Sequence, residues 1–474
     1  MKIKELINIV YNLSKEKNIK VYIVGGFIRD YLLKKPIEKI FDLDFTVFGD
    51  VIKFAEEFSK ITKGNLVILS EKSLLARVVI DKVYTCDFTK GRGKNIFDDI
   101  RERDFTINSL AVDIKYKDEI EKHIIDVVNG KTDLKKKVIK EINKEIYFKD
   151  PVRLLRAIRF SATLNFNITK RTKNHIKKFA NLIRYPSKER IKDELFKIFE
   201  VNDSFKYIEL LDRLLILENI FSEIKNLKGV EQPGYHHLDV WRHSLETLRN
   251  LELIIKHLDF NLSKKIKEDI YNHLNEKIGN FNRIPLLKLI SLFHDIGKPE
   301  TKFVDKEGNT HFYHHENIGM NKFSKIGKEL KLSNKEINIG KVVIKNHLRV
   351  GYLSGLKKIS KKAIHRFIRD CKDSVIDVLI LSWADRLSAK GIKVCESIIN
   401  KHKKIIEKLF VEYYKITSSK PLPKLINGYD IMKEFNLKPS PLIGRLLNKV
   451  REAQELKKIS TKEQALGLVK KLLN

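Results

Sequence analysis

The sequence predicts an α+β chain, with a mixed head of about 130 residues followed by a helical remainder. Two observations carry this reading. Short apolar runs bounded by turn residues recur as far as Gly130, and beyond it the strand pattern almost vanishes in favour of helical periodicity. A length of 474 residues also leaves room for roughly three domains at about 150 residues each.

Taken in order, residues 1–18 read as a helix with Leu6, Ile9, Val10 and Leu13 on one face. Val21–Val24 reads as a strand entering a tight turn at Gly25-Gly26, and Phe27–Lys34 as a helix. Over Phe41–Phe48 the alternation is strict: Phe41, Leu43, Phe45 and Val47 point one way, and Asp42, Asp44 and Thr46 the other. Leu66–Leu69, Ala76–Ile80 and Tyr84–Phe88 are further strands. Asp150–Leu164, Thr169–Ile183, Lys188–Phe199 and Ser204–Leu217 carry helical periodicity, as does most of Trp241–Lys415, with loops near Gly279 and Asp305–Asn309. Ser418–Pro423 reads as a linker before a helical piece, Ile426–Leu473. The expected domains are therefore 1–130, 131–235, 236–415 and 424–474.

Apolar residues make up 42% and charged residues 33%, which excludes a disordered or fibrous chain. No run approaches the ~18 apolar residues of a membrane span, and the N-terminus lacks a cleavage pattern, so no signal peptide is expected. Cys86, Cys371 and Cys395 lie far apart with no CxxC pair. That argues against a disulfide scaffold or a zinc-thiolate site, and a reducing cytoplasm is the expected compartment. Lys+Arg is 94 against 61 Asp+Glu, a formal charge of +33. Such an excess suits a polyanionic partner, but abundant Lys, Ile and Asn also follow from an AT-rich genome, so charge alone decides nothing.

Asp42 and Asp44 sit at i and i+2, so both carboxylates leave one face of a strand whose other face is apolar. Two carboxylates about 7 Å apart at Cβ can bracket divalent cations that also bind a triphosphate. Asp87, on the last well-formed strand of the head, is the candidate third carboxylate. Upstream, Gly25-Gly26 lets backbone approach a phosphate closely.

GGFIRD (25–30), DLD (42–44), RDFTIN (103–108), DPVRLLRAIRF (150–160) and ERIKDELFKIF (189–199) occur in that order. This series resembles the class II tRNA nucleotidyltransferase and bacterial poly(A) polymerase family, over roughly residues 20–200. The resemblance implies a polymerase-β-type nucleotidyltransferase head, an all-α neck, and addition of CTP- and ATP-derived nucleotides to tRNA 3′ ends. It implies a catalytic metal pair, expected to be Mg2+, on Asp42 and Asp44. It also places Gly25, Gly26 and Arg29 at the triphosphate, and Arg103, Asp104 and Asn108 beside the sugar and phosphates. Read without the resemblance, Arg103-Asp104 is a surface ion pair worth little.

Asp150 and Pro151 read locally as an N-cap and first helical residue. Asp150 and Arg153 share a face at i, i+3, with Arg156 and Arg159 continuing the polar row. The family uses Glu-Asp-x-x-Arg to read the edge of C or A. Lys149 stands where that pattern has Glu, which leaves Asp150 and Arg153 as the carried-over readers. Arg156 and Arg159 are candidates for triphosphate or tRNA contact, or a solvated basic face.

Nine of the 14 histidines fall between His236 and His315. His243, His294-Asp295 and Asp385 follow the order H…HD…D. This resembles the HD superfamily over residues 236–390, and imidazole plus carboxylate suits a divalent metal of unspecified identity. His315 and His347 are further ligand or phosphate-binding candidates, and phosphohydrolase activity is one use of such a site. Residues 425–454 resemble the tail of HD-containing tRNA nucleotidyltransferases.

The leading expectation is thus a tRNA nucleotidyltransferase that adds CMP, with AMP left open. Its rivals are a full CCA-adding enzyme, a poly(A) polymerase, and a non-catalytic basic RNA-binding protein. Only 15 residues, Phe88–Glu102, separate Asp87 from Arg103, which leaves about ten (FTKGRGKNIF) for a loop. The family's CC-adding members have this segment shortened, so CC addition is the expected outcome, with Gly91 and Gly93 as sources of residual mobility.

Overall fold

Alternation over the carboxylate segment becomes a seven-residue strand, Asp42–Phe48, in which Leu43, Phe45 and Val47 are buried and Asp42 is exposed. Phe41 lies outside the strand and is 46% exposed, so the apolar face begins at Leu43. The computed structural model describes residues 2–473 apart from 37–39, 71–73, 233, 235–236 and 419–422. It divides into two units, residues 1–201 with 207–220, and residues 202–206 with 221–474.

In the first unit, α1 (Ile3–Glu16) leads into β1 (Lys20–Val24) and α2 (Gly26–Leu32). Then come β2 (Asp42–Phe48), α3 (Val51–Thr62), β3 (Asn65–Ser70), β4 (Leu75–Ile80), β5 (Tyr84–Lys90), α4 (Ile96–Arg101) and β6 (Ala111–Asp113). The strands form one sheet in the order β3-β4-β5-β2-β1-β6. β2 and β5 run parallel, and the other neighbours antiparallel. The three-residue β6 was not legible as a strand; it is held by pairing to β1 and by an isolated bridge from Ala111 to Ile125.

One face of the sheet is covered by α1 and α3. Leu6 and Val10 of α1, and Phe54 and Phe58 of α3, pack with Phe45, Val78 and Phe88 in a single core. Phe45 and Phe88 stack at 5.2 Å between centroids. Each such ring contributes about 1.5–3 kcal/mol by leaving water, so the carboxylate strand is anchored through its apolar side. Asp50 caps α3 by accepting from the Lys53 amide at 3.0 Å.

The rest of this unit is mainly helical: α5 (Gly130–Lys135), α6 (Ile146–Lys149), α7 (Arg153–Leu164), α8 (Lys170–Lys178) and α9 (Lys188–Phe199). A two-stranded parallel pair, Val138–Ile139 with Asn167–Ile168, joins them. The helix expected from Asp150 begins instead at Arg153. Asp150 closes α6 in an extended conformation (φ −150°, ψ 95°), and its Oδ1 accepts from the Val152 amide at 3.3 Å, so it caps the turn that leads into α7. The following Pro151 disfavours helical backbone at its predecessor.

In the second unit, helices Arg283–Phe293 and Val375–Ser388 are buried nearly all round. Around them pack Val240–His257, His315–Glu329, Asn334–Asn346 and Glu396–Ser418. The loops expected near Gly279 and Asp305–Asn309 are the tips of two short hairpins. The C-terminal helices Gly428–Phe435, Pro441–Glu455 and Lys462–Leu473 share a small core that includes Ile431, Val450 and Val469. The boundary expected at residue 235 lies within this unit. His236 and residues 419–422 of the expected linker lie outside the described residues. No described helix is long and apolar enough to cross a membrane.

Candidate active site and metal centre

Asp44 pairs in register with Asp87 across the parallel strands, and Asp42 with Thr85. Neighbouring in-register residues project from the same sheet face, so all three candidate carboxylates line one cavity of about 800 Å³. Burial, then repulsion from Asp87 and Asp42, raises the Asp44 carboxyl to about 6, against the pull of Arg103. Crowded carboxylates of this kind favour a cation. The donor set fits magnesium, which is commonly held by one or two carboxylates plus substrate phosphates. Gly25 closes the turn beside them at φ +73°, and a Cβ there would stand 3.1 Å from Asp44 Oδ2. Both the backbone angle and the close approach require glycine.

Arginines line the same cavity. Arg29 donates to Asn108 Oδ1 at 2.7 Å and to Asp30 at 2.8 Å. Arg103 pairs with Asp99 at 2.8 Å and donates to Thr46 Oγ1 at 2.9 Å. The Arg103-Asp104 surface pair read from the sequence therefore does not form. Asp104 is buried and accepts from Arg156 at 2.8 Å, which holds its carboxyl at about 2 even though burial pushes it up. Arg156 also lies 3.6 Å from Glu194, and Arg159 donates to Glu194 at 2.5 Å. These two arginines form an ion-paired wall rather than a solvated face.

At the far end of the cavity, Arg153 Nη1 is buried and makes no hydrogen bond. Asp150 Oδ2 accepts from Arg190 at 2.7 Å. Lys149 pairs with Glu102 at 3.2 Å, which gives it a local role in place of the family's Glu. The ten-residue stretch expected as a loop contains only four irregular residues, Gly91–Lys94, between β5 and the α4 cap Asn95. They are tied down: the Arg92 amide to Asp99 (3.3 Å), Arg92 Nη1 to the Glu102 carbonyl (2.9 Å), and the Lys94 amide to Asp98 (2.9 Å). A Cβ on Gly91 would meet the Phe48 ring at 2.4 Å, and one on Gly93 would meet Asp98 Cβ at 2.4 Å. Close packing accounts for both glycines, where mobility was expected.

In the second unit, His243, His294, Asp295 and Asp385 come together as the H…HD…D order implied, and His315 and His347 join them. His243 Nε2 is 3.0 Å from Asp385, His294 Nε2 is 3.2 Å from Asp295 Oδ2, and His315 Nε2 is 3.1 Å from Asp295 Oδ1. Among the described residues two triads have ligand atoms within 4.8 Å of one another: His243-His294-Asp295 and Asp295-His315-His347. Nδ1 of His294, His315 and His347 lies 2.8, 2.7 and 2.6 Å from the carbonyls of Ser291, Phe312 and Ile344. A carbonyl only accepts, so each Nδ1 carries a proton and each Nε2 is turned to the cluster, the arrangement a metal ligand needs. Burial lowers His243 and His347. It also works to lower His294, but Asp295 and Asp385 hold that ring protonated up to about 10. A bound divalent ion displaces such a proton.

Comparison with known proteins places these parts in one family. Residues 21–140 match the "Poly A polymerase head domain", residues 165–228 the "Probable RNA and SrmB- binding site of polymerase A", and residues 240–390 the "HD domain". The chain belongs to the tRNA nucleotidyltransferase and poly(A) polymerase family. Among its relatives, an A-adding tRNA nucleotidyltransferase of Deinococcus radiodurans is 27% identical, over 95% of this chain and 94% of that one. A CC-adding tRNA nucleotidyltransferase of Thermus thermophilus is 26% identical, over 93% and 91%. The fold is shared with a Thermotoga maritima CCA-adding enzyme complexed with tRNA (TM-score 0.62, 22% identity, 100% of this chain and 97% of that one). It is shared too with a CCA-adding enzyme in complex with ATP (TM-score 0.66, 22% identity, 100% and 96%).

Several cavity and cluster residues had not been singled out from the sequence. Arg77 and Asp99 line the head cavity, as does Glu194 of ERIKDELFKIF. Lys298 Nζ lies 2.6 Å from Asp295. Alternation in LARVVI places Arg77 on the polar face of its strand, but only the pairing to β5 reveals what it meets.

Proposed function

We propose that this chain transfers CMP from CTP to the 3′ end of tRNA, adding two C residues, through metal-dependent phosphoryl transfer in the head. The tied four-residue Gly91–Lys94 segment carries the CC reading. A pocket that reads C and then A has to reorganise, and here the residues between β5 and α4 are pinned to Asp98, Asp99 and Glu102. The basic character of the chain, +33, suits a tRNA partner.

In this reading Asp42, Asp44 and Asp87 hold divalent ions, whose chemistry is to acidify the attacking 3′-hydroxyl and stabilise the pyrophosphate leaving group. Gly25 and Gly26 present backbone to the triphosphate, and Arg29 and Arg103 contribute positive charge. Asn108, held against Arg29, faces the ribose. The unpaired Arg153 donor meets an acceptor on the cytosine edge, and Asp150 accepts from its exocyclic amine. Arg156 and Arg159, fixed by their ion pairs with Asp104 and Glu194, wall the nucleotide. The histidine cluster of the second unit holds a divalent metal on His243, His294, Asp295 and Asp385, with His315 and His347 available to a second ion.

The test supplies purified protein with tRNAs ending before the CCA, after one C and after two C residues, each with CTP, ATP or both. CC addition extends the first by two and the second by one, and leaves the third unchanged. Extension of the third by a single A identifies a CCA-adding enzyme if the first also gains three residues, and an A-adding one if only the third is extended; a long A tract identifies a poly(A) polymerase, and no extension of any a non-catalytic RNA-binding protein.

A further inference from the structure

One row of side chains crosses the head sheet. Arg77 on β4 pairs in register with Asp87 on β5, and Asp87 with Asp44 on β2. Arg77 meets Asp87 through a two-pronged contact, Nε to Oδ1 and Nη2 to Oδ2, both at 2.8 Å. Both oxygens of the third carboxylate are thus engaged by one guanidinium, a geometry that arginine favours and lysine cannot copy. Among the described residues, the ligand atoms of the three head carboxylates do not converge within 4.8 Å as those of the histidine triads do. The head therefore has no closed cage for a free cation.

We propose that Arg77 is a positioning residue that acts as an internal counter-ion for Asp87 and keeps the head from binding a bare divalent ion. Asp87 is released to metal only when the ion arrives with a nucleotide triphosphate. Arg77 lines the same cavity and is 42% exposed at its side chain, so its guanidinium has room to turn from the carboxylate toward incoming phosphate oxygens. The charges favour this exchange. Without nucleotide, Arg77 neutralises one of three crowded carboxylates. With nucleotide, a polyanion competes for the guanidinium while its cation takes Asp87. The inference rests on the metal reading of the head.

Manganese(II) is the probe, followed by electron paramagnetic resonance for the wild-type chain, Arg77→Met and Arg77→Lys, each with and without Asp44→Ala. The part of the binding that depends on Asp44 reports the head and leaves out the histidine cluster. Without nucleotide, Arg77→Met is expected to bind about tenfold more tightly than wild type, the scale of one charge-assisted contact. Arg77→Lys should fall between them. With saturating CTP the difference should close. Binding by Arg77→Met that is equal to or weaker than wild type without nucleotide overturns the proposal while the metal reading stands. Loss of any Asp44-dependent signal in wild type with CTP overturns the metal reading and this proposal with it.

Discussion

Asp44 and Asp87 are register partners on adjacent parallel strands, so two carboxylates separated by 43 positions in sequence stand side by side on one sheet face. Burial and this proximity are what raise Asp44 to about 6. The chemistry proposed for the head rests on the pair together with Asp42.

Asp42→Ala and Asp44→Ala should each reduce CMP transfer by at least about a thousandfold, the scale on which removing a key electrostatic contact acts. Neither side chain fills the core, so thermal unfolding should stay within a few degrees of wild type. Asp87→Ala should impair transfer as well. Turnover near wild type in saturating magnesium for the Asp44 variant would remove the carboxylate from the mechanism.

The packed segment before α4 makes a structural prediction. Gly91→Val places carbon against Phe48, and Gly93→Ala combines a clash at Asp98 with φ +70°. Each should cost about 1–3 kcal/mol in urea unfolding. Unchanged stability in both would mean that the segment is loose, and the argument for a pocket restricted to C would lose its support.

Asp104 supplies a pH dependence. Its folded carboxyl lies at about 2 against an ordinary value of 3.8, so it contributes stability above 3.8 that is lost as pH falls through 2. Asp104→Asn should lower stability by about 2 kcal/mol at pH 5, with the gap narrowing below pH 3.5. A difference independent of pH in denaturant titrations would rule out the Arg156 pair as its source.

His294→Ala and Asp295→Ala should strip tightly held metal from the second unit while nucleotide addition continues. The two sets of candidate ligands share no residue. Elemental analysis after removal of loose ions is the readout, and full metal occupancy in both variants would refute the cluster as a metal site.

Much of this was legible because the decisive patterns are local. The period-two alternation around Asp42 and Asp44 identified their shared face, and the H…HD…D order marked side chains that cluster in the second unit. Pairings across long stretches of sequence were not legible. Arg103 meets Asp99 from one turn of chain earlier, while its neighbour Asp104 is taken by Arg156 from 52 residues away, and neither partner was read from the sequence. Arg77 looked like an ordinary polar-face residue until β4 was laid beside β5. The capping signal of Asp150-Pro151 is used, but the regular helix starts only at Arg153, because the Arg153 and Leu154 amides bond three residues back, to Asp150 and Pro151, before the i→i+4 ladder begins.

Nucleotide addition to a tRNA that ends just before its CCA, with CTP and ATP both present and products resolved to single nucleotides, tests the central claim most directly. The account predicts a product two C residues longer, lost in Asp44→Ala. A tRNA left at its starting length by the wild-type protein would contradict the transferase reading. A product three residues longer and ending in A would contradict its restriction to C.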